Sequence, residues 1–249
     1  MKKTSWGPFA RWLDDLLEKD GTYQKDLILP NLLRLSNIRK GESVLDIACG
    51  QGFFAREFYK AGANVTGIDI SKELIEIAKK RSPFVIKYYT TEAKNIKPLA
   101  NSSINKITII LALQNMEDVN KVFRECDRIL KHNGAMYLVL SHPSFRIPKQ
   151  SSWGWDEGRK IQYRRIDSYL SESRDKIQMH PGIKASEFTW SFHRPLQYYF
   201  KMLCKNGFCV TRLEEWNSHK KSEKGPRSNA EDKARHEIPL FMFIEAIKG

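Results

Sequence analysis

Cysteine is scarce in this chain, with four among 249 residues (Cys49, Cys126, Cys204 and Cys209). No two of them stand in a CxxC or zinc-ligand spacing, so neither a disulfide framework nor a cysteine-based metal site is expected. They read as reduced thiols in or near a core. Long apolar runs are missing too, and no stretch approaches the length of a membrane span. Met1-Lys2-Lys3 is not followed by an apolar segment, and Arg11, Asp14 and Asp15 come too early for a signal peptide. The expectation is a soluble, cytoplasmic protein. Internal repeats and low-complexity segments are absent. Acid is in short supply, with 29 Asp and Glu against 42 Lys and Arg, a formal net charge of +13. Such a field attracts anions. No recognisable nucleic-acid module accompanies it, so a nucleic-acid partner is open but not favoured.

What is present points to a folded chain. Hydrophobic residues make up 41% and aromatic residues 11% of the sequence, more than a disordered chain carries. The length suits one large α/β domain, or one with a substantial insertion. Residues 4–38 have the periodicity of two amphipathic helices, with Trp12, Leu13, Leu16 and Leu17 on one stripe and Leu27, Ile28, Leu32, Leu33 and Leu35 on another. Pro30 is placed to kink or restart the second. Strands and helices then alternate: strands at 44–48, 64–70, 85–89, 106–113 and 135–140, and helices at 53–60, 71–80 and 118–130. That rhythm predicts a Rossmann-like, doubly wound α/β sheet, mostly parallel, with helices on both faces. It breaks between 141 and 190, a charged stretch containing Trp153, Trp155, Tyr163, Tyr169 and Trp190, which reads as an insertion over the carboxyl edge of the sheet. A helix at 195–205 and strands at 208–216 and 238–247 follow. Two strands joined without a helix are not easily parallel neighbours, so the final, seventh strand is expected to run antiparallel. Residues 217–235 read as a mobile polar loop. The whole, 1–249, reads as a single domain: a helical cap at 1–40, a ligand-binding core at 41–141, a substrate-side insertion at 142–193, and 194–249 completing the sheet.

The informative run is VLDIACGQGFFAREF, residues 44–58. Glycines after a buried strand let the backbone approach a ligand, with a helix N-terminus behind it. Gly50 to Ala55 would also pass as a dinucleotide fingerprint, which alone is a weak pattern. Asp46 separates the alternatives. A carboxylate there repels a pyrophosphate but gains from a ligand with a sulfonium and an ammonium group, such as S-adenosylmethionine. Asp69, ending the next strand, stands where a ribose-binding carboxylate belongs. Taken alone, Asp46 could be a buried acid satisfied by turn amides, and Asp69 a cap for the helix starting near Ser71.

With DxACGxG, VTGIDIS and YYTTEAKNI in that order, residues 40–140 resemble the class I S-adenosylmethionine-dependent methyltransferases, near the small-molecule methyltransferase-11 type. The resemblance implies that Asp46, Ala48, Gly50 and Gly52 cradle the methionine portion of the cofactor and that Asp69 and Ile70 hold its ribose. It implies that Glu92 and Ala93 flank the adenine, that Leu111 to Gln114 lie beneath the reacting methyl, and that Tyr23 reaches the cofactor carboxylate. The acid usual early in the fourth strand is replaced around Asn105 and Lys106, and Gln114-Asn115-Met116 follows that strand in place of a histidine-bearing segment. There is no (D/N/S)PPY motif and no Pro-Cys nucleophile, which argues against amino or C5 methylation of bases.

The acceptor side is less legible. A general base is needed only if the nucleophile is protonated at neutral pH. His142, His193 and Tyr163 are the candidates for catalysis, each with a plain structural alternative. Trp153, Tyr163 and Arg194 are candidates for holding a small acceptor, an anionic one included, since an arginine can take a carboxylate or phosphate. Trp153 to Trp155 could close as an aromatic lid. The basic residues Lys220, Lys221, Lys224 and Arg227 could steer an anionic partner or simply be solvated. The leading expectation is transfer of a methyl group from S-adenosylmethionine to an O, N or C atom of a small molecule, leaving S-adenosylhomocysteine. The alternatives are a methyltransferase acting on RNA or another polyanion, and a non-catalytic cofactor-binding protein. The oligomeric state is not readable.

Overall fold

A computed structural model describes residues 6–7, 10–178 and 188–249. Met1-Lys2-Lys3, part of the start of the helical stretch expected from residue 4, and residues 179–187 of the expected insertion lie outside the described residues.

The chain begins with α1 (Ala10–Glu18). A π-helical turn, Gln24–Ile28, then leads into α2 (Leu29–Ser36). Pro30 explains the wide turn: without an N–H it cannot close an α-helical bond to the preceding turn, and the chain loosens before it. Alternation follows through β1 (Ser43–Ile47), α3 (Phe53–Lys60), β2 (Asn64–Asp69), α4 (Lys72–Arg81), β3 (Lys87–Thr90), β4 (Ile104–Ile110), α5 (Val119–Ile129) and β5 (Leu130–Ser141). Two side-chain caps match their sequence signals. Ser71 Oγ accepts from Leu74 N at the start of α4, and Asp118 accepts from Lys121 N at the start of α5.

The stretch where the rhythm breaks contains strands. They are β6 (Ser151–Asp156), β7 (Ile161–Ile166), β8 (Ser173–Gln178) and β9 (Phe188–His193), paired as two antiparallel ribbons, β6 with β7 and β8 with β9. Then come α6 (Leu196–Lys205), β10 (Phe208–Trp216), α7 (Ser228–Glu237) and β11 (Phe241–Lys248). Helix α7 corrects the reading of 217–235 as a loop. Only Ala234 of that helix is buried, so it carries no apolar stripe to announce it. It is held by polar contacts instead: Asp232 accepts from Ser222 N, and Asn217 donates to His236 O.

The main sheet has seven strands in the order β10-β11-β5-β4-β1-β2-β3. Strand β11 is antiparallel to both β5 and β10, and the remaining pairings in this sheet are parallel. This is the Rossmann-like sheet expected, with its seventh strand reversed. Alternate side chains divide between two cores. Leu45, Ile47, Ile107 and Leu138 face α5 and α6 through Phe123, Cys126 and Leu203. Val44, Val65, Val139 and Phe243 face the other helices through Leu32, Phe54, Phe58 and Ile75. Covering both faces leaves the carboxyl edge of β1, β2 and β4 as the place where a ligand can enter.

Candidate functional site

A cleft of about 860 Å³ opens at that edge. Its floor is the turn after β1. Ala48 (φ 57°), Gly50 (φ 58°) and Gly52 (φ 81°) are all left-handed, so the chain doubles back tightly before α3. The turn is tied to β2 by two backbone donors. Cys49 N donates to Ile68 O at 3.0 Å, and Gly50 N donates to Asp69 Oδ2 at 3.0 Å. Leu111, at the end of β4, is also left-handed (φ 52°), held by its N–H on Val139 O at 2.7 Å. Ala48 and Leu111 both line the cleft. Strained non-glycine backbone of this kind costs about 1–3 kcal/mol and gathers at ligand sites.

Two carboxylates face each other across the turn. Asp46 is 2% exposed; its Oδ1 accepts from Thr108 Oγ1 at 2.8 Å, and its Oδ2 is buried with no hydrogen-bond partner. Burial, opposed by the Thr108 bond and reinforced by the charge of Asp69, pushes its pKa up to about 7. Asp69 is 7% exposed and accepts from Gly50 N and, through Oδ1, from Ser71 N at 2.8 Å. Burial raises its pKa as well. No cationic side chain pairs with either acid among the described residues. The site is therefore short of positive charge and of donors. A ligand bringing a cation to Asp46 and hydroxyls to the remaining lone pairs of Asp69 would correct both shortages. S-adenosylmethionine fits this donor set, and a pyrophosphate does not. Neither acid has quite its plainest alternative role. Asp46 is bonded to a strand hydroxyl rather than to turn amides, while Asp69 does secure the backbone at Ser71.

Of the residues singled out in the sequence, Asp46, Ala48, Gly50, Asp69, Ile70, Glu92, Ala93 and Leu111 line the cleft. Gly52 does not. A Cβ there would lie 2.5 Å from the Tyr88 hydroxyl and 3.2 Å from Ala78 Cβ, so this glycine makes room for packing under the turn. Gln114 turns inward and donates to Leu111 O, leaving Asn115 and Met116 on the cleft. Tyr23 points the other way, its hydroxyl on Ser218 Oγ at 2.9 Å and its ring edge-on to Phe241.

The acceptor-side candidates are dispersed. His142 is buried; its Nδ1 accepts from Ser144 N, so the proton sits on Nε2, which donates to Glu215 Oε1 at 2.6 Å. Burial lowers its pKa against the pull of Glu215, and both nitrogens are committed. His193 is buried with Nε2 on Tyr169 O at 2.7 Å. Arg194, 4% exposed, donates to Met116 O and Glu117 O. It clamps the segment after β4 and is not turned toward a substrate. Tyr163 is exposed and packs against Gly154 across the first ribbon. Trp153 lies near two guanidinium groups, those of Arg146 and Arg164, away from the cleft. In their place the structure brings Arg174, Trp190 and Phe192 of the second ribbon to the cleft mouth, with the Arg174 guanidinium 4.0 Å from the Trp190 ring centre. The signal was present in the alternation of FTWSFH, residues 188–193, whose odd members Thr189, Ser191 and His193 are buried while Phe188 and Trp190 are exposed. Which ribbon covers the cleft was not in the pattern.

Comparison with known proteins agrees with this geometry. Residues 45–138 match the family described as Methyltransferase domain. Over 142 residues the chain is 31% identical to a ubiquinone biosynthesis O-methyltransferase of Actinobacillus pleuropneumoniae, covering 52% of this chain and 58% of that protein. Over 131 residues it is 27% identical to the biotin biosynthesis bifunctional protein BioHC of Cellvibrio japonicus, covering 53% of this chain and 24% of that protein. Little more than half the length of the first of these relatives, and a quarter of the second, is spanned. The fold is also that of an S-adenosylmethionine-dependent methyltransferase from Mesorhizobium loti, with a TM-score of 0.72, 24% identity, and 92% of this chain and 99% of that chain covered.

Proposed function

We propose that this chain, which carries a methyltransferase domain at residues 45–138, is an S-adenosylmethionine-dependent methyltransferase acting on a small-molecule acceptor. The observation that carries this reading is the buried, unpartnered Oδ2 of Asp46 beneath a glycine turn. An ionised carboxylate held there without a cation is costly, and a ligand ammonium group relieves it. Asp69 takes the ribose hydroxyls, Ile70 offers an exposed apolar face, and Glu92 and Ala93 border the base. S-adenosylmethionine, when bound, supplies a methyl group already activated by the sulfonium. The protein's own task is then alignment and exclusion of water. Leu111, Ala112 and Met116 wall one side, and Trp190 and Phe192 of the second ribbon wall the mouth.

No histidine lines the cleft among the described residues. The reading therefore assigns His142 and His193 to structure, and the acceptor enters without a histidine base. The relatives' names support a small molecule as acceptor, one an O-methyltransferase of quinone synthesis and one a protein of biotin synthesis. A charged acceptor is supported by Arg174 at the mouth. A cytoplasmic setting is supported by the four free thiols.

The test is thermal stability with S-adenosylhomocysteine. A rise in Tm that saturates with ligand, is lost in Asp46→Asn and is not produced by NAD is the expected result. No shift at millimolar S-adenosylhomocysteine, or an equal shift with NAD, would overturn the reading.

A further inference from the structure

We propose that this chain binds a small oxyanion, the carboxylate or phosphate group of a metabolite-sized molecule, in a second cavity built around Arg146. The inference does not rest on the methyltransferase reading. The cavity is about 710 Å³ and shares no lining residue with the cleft described above. Its walls are Tyr23, the segment after β10, helix α7 and Trp153 of the first ribbon.

Arg146 is the centre of the argument. Its Nε is buried without a partner, and no carboxylate or carbonyl takes its guanidinium among the described residues. The same group lies 5.4 Å from the Trp153 ring centre, and Arg164 lies 5.3 Å from that ring. Arg164 is satisfied, by Phe145 O at 2.8 Å and Ser151 Oγ at 2.6 Å. Arg146 is not. Burial and the charge of Arg164 together depress its pKa to about 10, as expected of a cation held without compensation. Arg146 is half-buried, with its Nε enclosed and the rest of the guanidinium open to the cavity, and a partly desolvated guanidinium of this kind gains from an anion that answers it.

The surroundings add charge of the same sign. Lys220 Nζ sits 4.8 Å from the Tyr23 ring centre and faces the cavity, and Lys221 lines it as well. Neither lysine is ion-paired among the described residues. Arg235 lines the wall of α7, 4.0 Å from Asp232. Against these cations stand two lining carboxylates, Glu223 and Glu231. The balance is positive, and of the two guanidinium groups on the wall Arg146 is the one without an acceptor. That is the arrangement by which arginine takes a carboxylate or phosphate, with lysines adding point charge at the rim. The fold spends two features on building this cavity. Arg227, preceding α7, pairs with Glu157 at 2.9 Å and lies over Trp155 at 4.6 Å, fastening α7 to the first ribbon. Tyr23 bonds Ser218, fastening the segment after β10 to the N-terminal helices.

The experiment is calorimetric titration of the full chain, in chloride buffer at about 0.15 M ionic strength, with inorganic phosphate and with benzoate in separate runs. Saturable one-to-one binding of at least one probe is expected. Arg146→Met should weaken it at least about tenfold, and Lys220→Gln with Lys221→Gln several-fold. S-adenosylhomocysteine binding should be unchanged in both variants. Preference for phosphate would identify a phosphate ester as the natural ligand class, and preference for benzoate a carboxylate. The lysine variant alters exposed side chains, so it decides the question even if Arg146→Met fails to fold. The proposal is overturned if neither probe saturates below tens of millimolar. It is equally overturned if binding survives the lysine variant unchanged, if it survives a folded Arg146→Met unchanged, or if S-adenosylhomocysteine displaces the anion.

Discussion

The carboxyl group of Asp46 is less stable ionised inside the fold than in water. Its folded pKa of about 7 lies above the ordinary aspartate value of 3.8. Between those values the folded chain holds a proton that the unfolded chain has lost, so stability falls as pH rises through this window. Asp69, raised for the same reason, acts in the same direction. The ligand-free protein should therefore melt lower at pH 8 than at pH 5.5 on account of these groups. Asp46→Asn should flatten that dependence and raise the Tm at pH 8 while weakening S-adenosylhomocysteine binding by about tenfold or more. Melting curves with and without ligand across this range check both halves. For the ligand the sign is opposite: an ammonium group needs the ionised form, so affinity should climb toward pH 7 and then level. The two glycines of the turn separate by the same kind of measurement. Gly52→Ala drives a Cβ into Tyr88 at a left-handed position and should cost about 2–3 kcal/mol in urea unfolding. At Gly50 the nearest atom to an added Cβ is Leu13 Cδ2 at 3.8 Å. Gly50→Ala should therefore cost less stability, with its larger effect on ligand affinity.

Among the elements, Arg194 joins three. It follows β9, precedes α6, and holds the carbonyls of Met116 and Glu117 beyond β4. Arg194→Met removes two charge-assisted bonds at a part-buried place and should cost about 1–3 kcal/mol, read from the midpoint of denaturation at unchanged slope. A substrate-binding arginine would instead lose turnover with little change in stability. Helix α7 is held by polar contacts with a single buried residue, so its amides should exchange with solvent well before those of β4 and β5, whose side chains are buried in both cores. Hydrogen exchange resolved by peptide measures this directly. The helix escaped the sequence reading because it has no apolar stripe. The ribbons of 151–193 escaped it because their alternation of exposed and half-buried side chains is weak: β7 is mostly exposed and β8 alternates between exposed and half-buried.

For the molecule as a whole, the charge of +13 produces an attraction to any polyanion that needs no site. Binding to RNA should fall steeply between 50 and 200 mM salt, following counterion release. Retention of RNA at the higher salt, with inhibition of methyl transfer, would favour the polyanion alternative. Among the described residues no helix is long and apolar enough to cross a membrane, and no cluster of histidine, cysteine and acid is placed to hold a metal.

The sheet, its order of strands and helices, the reversed last strand and the acids beneath the glycine turn could be read directly from residues 40–140 and 208–247. Each rests on information local in the chain: apolar period, glycine position, or a carboxylate at a strand end. The acceptor side could not be read that way. Trp153, Tyr163 and Arg194 were as plausible as Arg174, Trp190 and Phe192 by residue type, and only the docking of one ribbon over the cleft chose between them. His142 and His193 looked available until their ring nitrogens were found bonded to Glu215, Ser144 and Tyr169. Contacts between residues 73 and 24 positions apart carry no periodic trace, because a side chain's partner is set by how elements pack and not by its own neighbours.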